Sequence, residues 1–187
     1  MDTQINHEKQ YESLLLAHHK ICDWNEKRPS GGVRSSEPLG KNALIRLRKF
    51  AKVQLSLLTE TIKDSFIISI SKGKSSLPTI LWVALVPKNY SVFKSLSITT
   101  CFSFEGTGSV VGLMDAVICP QAWLPTVERK QTTERFINLN KKGGNYHYND
   151  KFINPKEFHL NDFSSKDFIE HVVKSCDILT KEISNRS

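Results

Sequence analysis

Residues 65–87 read SFIISISKGKSSLPTILWVALVP. Two apolar runs flank a short basic segment, and both are rich in β-branched residues. Runs this short, bounded by small and turn-forming residues such as Gly73 and Pro78, read as strands. Two more runs of the same kind follow, LSITTCFSF at 96–104 and SVVGLMDAVI at 109–118. They are joined by EGTG at 105–108, whose two glycines tolerate the positive φ of a hairpin turn. Four strands in succession predict a mostly antiparallel sheet.

Helical periodicity lies on either side of this block. In residues 3–22, Ile5, Tyr11, Leu14, Leu15, His18 and Ile21 fall on one stripe, with no Gly or Pro inside. Residues 41–60 repeat the pattern with Leu44, Leu47, Phe50, Ala51, Leu55 and Leu58, and present Arg46, Lys49 and Lys52 on the opposite side. Between the two helices, NEKRPSGGVRSSEPLG at 25–40 reads as a long loop carrying Lys27, Arg28 and Arg34. Near the C-terminus, residues 164–184 form an amphipathic helix with Phe168, Val172, Cys176 and Leu179 on its apolar side. Ser164 is its N-cap, with Asp167 three residues on. Residues 119–162 are less regular: PQAWLP turns, RFINLN suits a short strand, and KKGGNYHYND suits an exposed loop. The expected architecture is α+β: a central, mostly antiparallel, curved sheet over about 65–140, flanked by N-terminal helices and a C-terminal helix. A chain of 187 residues suits one domain, here expected over 1–187 as part of a larger protein.

Apolar residues make up 39 % of the chain, enough for a core, and the 24 % charged fraction is ordinary. Lys and Arg outnumber Asp and Glu by 26 to 19, a net charge of +7, which favours an acidic partner. The excess is uneven. Residues 65–104 carry Lys72, Lys74, Lys88 and Lys94 and no carboxylate, whereas residues 131–187 are nearly balanced, nine basic against eight acidic. The acid-free stretch fits either a docking face or a strand-rich core segment. Cys22, Cys101, Cys119 and Cys176 form no CxxC pair, the N-terminus has no apolar leader, and no run is long enough to span a membrane. These features are those of a cytoplasmic chain with free thiols.

No catalytic motif stands out. P-loop, GxGxxG and GxSxG patterns are absent, and FEGTGS leads into a strand rather than into a helix N-terminus that would cradle phosphate. His18, His19 and Cys22 in HHKIC lack a second ligand pair and read as helix-surface histidines rather than a zinc site. Asp115, with Glu128 and Lys130 of VERK, has the order of a metal-dependent nuclease, but the pattern is short and its second half reads as a loop. The chain is therefore expected to bind rather than to catalyse, with no cofactor.

The segment IISISKGKSSLPTILWVAL at 67–85 resembles the N-terminal DNA-binding domain family of McrB-type, 5-methylcytosine-specific restriction systems. It shares with that family a strand ending in a glycine-bearing basic loop, then a proline-containing segment and an apolar strand with Trp near its start. The likeness extends over about 65–118, with VFKSLSITTCFSFEGTGSVVGLMDAV as the next hairpin and CDILTKEI within the closing helix. The family's Pro-Trp pair is spaced here as LPTILW. The resemblance implies a phage-defence role: binding of double-stranded DNA containing modified cytosine, 5-methylcytosine first, by flipping the base into an aromatic pocket. Cleavage and nucleotide hydrolysis would belong to another domain or subunit.

On this reading Lys72, Gly73, Lys74, Ser75 and Ser76 approach the DNA backbone, with Lys88 and Arg46 extending the contact. Trp82 stacks on the flipped base, and Tyr146 and Tyr148 are further pocket candidates. Trp82 also fits a packing role, and the tyrosines also fit loop residues packed on the sheet. Three other functions suit the same chain. They are a duplex DNA binder without modification specificity, a magnesium-dependent nuclease on Asp115, Glu128 and Lys130, and a protein-interaction module of a defence complex.

Overall fold

In the computed structural model, an apolar row crosses five strands: Ile68, Leu85, Ile98, Leu113 and Ile153 are successive cross-strand partners. The strands are β1 (Phe66–Ile70), β2 (Trp82–Pro87), β3 (Ser97–Phe102), β4 (Gly108–Met114) and β5 (Phe152–His159). They lie in chain order, every neighbouring pair antiparallel, in one curved, open sheet. The structure describes residues 2–27, 32–72, 76–78, 80–90, 96–114, 137, 139 and 152–185.

Side chains alternate across a strand. The row through Leu85 therefore faces one layer, made of α1 (Asp2–Lys27), α2 (Pro38–Ser56) and α4 (Ser165–Ser184). The short α3 (Glu60–Ser65) leads directly into β1. Trp82, Cys101, Val110, Met114 and Phe152 belong to a second apolar cluster with Ile80, Ile137 and Leu139. The class and the flanking helices are as expected, but several bounds differ. The helix expected over 41–60 ends at Ser56, and Thr59 caps a new one from Glu60 by accepting from Ile62 N at 3.4 Å. α1 runs to Lys27, well past the expected end at 22. The second strand begins at Trp82 rather than at 79.

β5 lies beyond the expected limit of the sheet. Pro155 stands inside it, which an edge strand tolerates. A register shift opposite Gly112 accommodates Asn154, whose φ is +50°. A Cβ at Gly112 would lie 3.1 Å from the Ile153 and Asn154 carbonyl oxygens, so a larger residue there needs the facing β5 backbone to give way slightly. The β3–β4 hairpin forms where EGTG places it, with Gly106 at φ +72°. Ser164 caps α4 by accepting from Asp167 N at 3.3 Å.

Packing between the helices and the sheet centres on aromatic rings. Tyr11 stacks on Phe163 at 3.7 Å, and its hydroxyl donates to Phe158 O at 2.6 Å and lies 2.9 Å from Ser109 Oγ. That one residue ties α1 to β4, β5 and the segment before α4. Burial pushes its phenol pKa up, so it stays protonated and able to donate. Tyr11→Phe keeps the ring but leaves the Phe158 carbonyl without this donor. It is expected to cost about 1–3 kcal/mol, read as a lower denaturation midpoint at unchanged m-value.

Candidate nucleic-acid interface

The end of β1 meets the start of β2 through a reciprocal pair of bonds. Ser71 N donates to Trp82 O at 3.0 Å, and Trp82 N donates to Ser71 Oγ at 2.9 Å. The next residue, Lys72, is exposed. Trp82 is half-buried and packs against the second apolar cluster, on the sheet face turned away from the helices. The residue is therefore partly packed and partly accessible.

The 25–40 segment pairs with residues 76–77, between β1 and β2. Arg34 and Ser76 form an antiparallel bridge, Leu77 N donates to Val33 O at 2.8 Å, and Asn25 Oδ1 accepts from Val33 N at 2.8 Å. Val33 and Leu77 are buried beneath this strip. Gly40 fits it closely, because a Cβ there would collide with the Arg34 carbonyl. Arg34 itself is exposed, and neither it nor Lys72 makes an ion pair among the described residues. Lys27 and Lys63, by contrast, are held 2.8 Å from Asp23 and Glu60. Arg34 and Lys72 thus offer two uncompensated cations at one end of the sheet. The pairing of 33–34 with 76–77 escaped the sequence reading. Its one signal was a basic loop too long for a simple helix connection.

The other expected contacts lie apart from this end. Lys88 follows the last residue of β2, so at about 3.3 Å per residue it lies about 20 Å from Trp82. Arg46 is on α2, across the sheet from Trp82, with Nε donating to Asn42 Oδ1 at 3.0 Å. The acid-free stretch 65–104 is therefore not one face: it consists largely of buried strand residues, with Lys72 and Lys88 at opposite ends. Gly73, Lys74, Ser75, Tyr146 and Tyr148 lie outside the described residues. So do Asp115, Glu128 and Lys130 of the nuclease alternative, and most of RFINLN.

His19 is exposed, as expected, but His18 is fully buried: its place on the apolar stripe holds and the surface position does not. Among the described residues, no group of three His, Cys, Asp or Glu side chains is placed to hold a metal ion. Cys22, Cys101 and Cys176 are buried. Burial, and after it the charge of Asp177, pushes the Cys176 pKa up to about 12, which makes it inert as a nucleophile at neutral pH. No described helix is long and apolar enough to cross a membrane.

No protein-family model matches the chain, and no curated protein or solved structure is significantly similar to it. The functional reading therefore rests on the residues at the β1–β2 end and on the motif at 67–85.

Proposed function

We propose that this chain is the DNA-recognition domain of a modification-dependent restriction system. It binds duplex DNA through the β1–β2 end and reads a modified cytosine, 5-methylcytosine first, by flipping it onto Trp82. The observation that carries this reading is the reciprocal Ser71–Trp82 pairing, which sets the exposed Lys72 one residue beyond the partner of a half-buried Trp82; the exposed Arg34 lies on the segment that pairs with the β1–β2 connection at Ser76. A flipped base needs a π-face and a methyl-tolerant apolar wall, and the strand next to it needs neutralised phosphates. Unstacking costs a few kcal/mol, and stacking on an aromatic ring returns about 1–3 kcal/mol per base. Phosphate contacts supply the rest, so binding weakens with salt. The domain contributes recognition, and cleavage and nucleotide hydrolysis come from a partner domain or subunit.

Flipping has a direct optical test. A duplex carrying 2-aminopurine beside the modified cytosine should brighten on binding, because the neighbouring base loses its stacking partner. The same protein should produce little brightening on the unmodified duplex. Binding that brightens neither duplex would leave a phosphate-dominated DNA binder and remove the flipping step.

A further inference from the structure

Helix α2, PLGKNALIRLRKFAKVQLS, carries five basic residues and no carboxylate. Its inner face is spent on the core: Ala43, Leu44, Leu47, Phe50 and Ala51 are buried, most of them against α1 and the sheet. At 100° per residue, Lys41, Ile45, Arg48 and Lys52 share an arc of about 60°, with Lys49 about 40° to one side. All five are exposed, and Ile45 is the apolar member at 49 %. None of the four cations makes an ion pair among the described residues, whereas the exposed lysines Lys27 and Lys166 lie 2.8 and 3.9 Å from a carboxylate one turn away. From Lys41 to Lys52 the face spans about 16 Å.

We infer that the outer face of α2 is a second polyanion-docking surface, one that takes the phosphate backbone of nucleic acid. It is separate from the β1–β2 end because α2 lies across the sheet from Trp82. A strand of duplex DNA presents one phosphate per about 3.4 Å of axis, so about five phosphates face a helix of this reach. Four cations that make no ion pair among the described residues match that density. The same face does not suit insertion into a lipid surface. An interfacial helix buries a broad apolar stripe in the bilayer, and here that stripe is already buried in the protein, leaving Ile45 alone. With one face on each side of the sheet, the domain can hold two nucleic-acid segments, or hold one while a second is read. The α2 surface stands whether or not Trp82 reads a modified base.

The test compares the intact chain with the quadruple variant Lys41→Gln, Arg48→Gln, Lys49→Gln, Lys52→Gln, using an unmodified duplex titrated between about 50 and 200 mM salt. All four positions are exposed, so the melting temperature should hold, which separates lost binding from lost folding. Each phosphate contact contributes about 0.9 to the slope of log K against log salt, so the variant should be shallower by about two to four. Trp82→Ala should leave that slope unchanged, which keeps failure of the base-reading proposal distinct from failure of this one. A variant with the parental slope, or an intact chain that binds phosphatidylserine vesicles but no duplex, would overturn the inference.

Discussion

Phe168→Ala should unfold this protein more readily than any surface change. The Phe168 ring is fully buried and lies within 5.0–6.4 Å of the rings of Phe158, His7, Phe163, Phe50 and Tyr11. Those neighbours come from α1, α2, β5 and the segment before α4, so no single element can collapse into the space. Removing a buried Phe in such a setting costs about 3–5 kcal/mol. For a domain of this size each kcal/mol lowers Tm by about 2–4 °C, so a fall of about 6–20 °C is expected in a thermal melt. A fall of under 2 °C, roughly the effect of an exposed residue, would contradict the central place given to this ring.

Acid should loosen the same cluster through His7. The side chain is fully buried, stacks on Phe50 at 4.9 Å, and has Nδ1 2.8 Å from Ser165 Oγ. Its Nε2 is buried with no hydrogen-bond partner among the described residues. Burial lowers its pKa from 6.5 to about 4, because a charged imidazole there would lose its hydration. The folded pKa lies below the unfolded one, so the unfolded chain binds the proton more readily. The contribution is complete above about pH 6.5 and drains away as pH falls towards 4. Over that window it amounts to about 3 kcal/mol, at 1.36 kcal/mol per pKa unit. His171, lowered chiefly by burial, adds to the trend with the same sign. Carboxylates titrate in both proteins, so the informative quantity is the difference between the parent and His7→Phe. Urea unfolding at neutral pH and near pH 4.5 should show a steeper acid loss in the parent. Parallel pH profiles would mean that His7 is protonated as easily in the folded chain as in the unfolded one.

Short runs of β-branched and aromatic residues, punctuated by Gly and Pro, made β1 to β4 legible, and the capping serine made α4 legible. β5 was hidden because Asn154, Pro155, Lys156 and Glu157 interrupt its apolar residues, a pattern that reads as loop unless a bulge on an edge strand is supposed. The α2–α3 break was hidden for a different reason. Leu58 and Ile62 both reach the core, so the apolar recurrence continues across a helix end. At the candidate site, the nearness of Lys72 and Trp82 followed from the end of β1 facing the start of β2. The distance to Lys88 followed equally from strand length once β2 was known to start at Trp82. Which face Trp82 occupies did not follow, because β2 is apolar on both sides and alternation gives no sign of inside or outside. The approach of Arg34 depends on an isolated bridge between segments 42 residues apart, which no local pattern encodes.

The decisive measurement is equilibrium binding of the purified chain to matched duplexes, unmodified, hemimethylated and fully methylated at cytosine, with folded Trp82→Ala alongside. A domain that reads the modified base on this ring binds the methylated duplexes more tightly, and Trp82→Ala removes that preference while keeping salt-sensitive binding to all three. Equal binding by the parent to all three duplexes, or a methyl preference that survives Trp82→Ala, would contradict it.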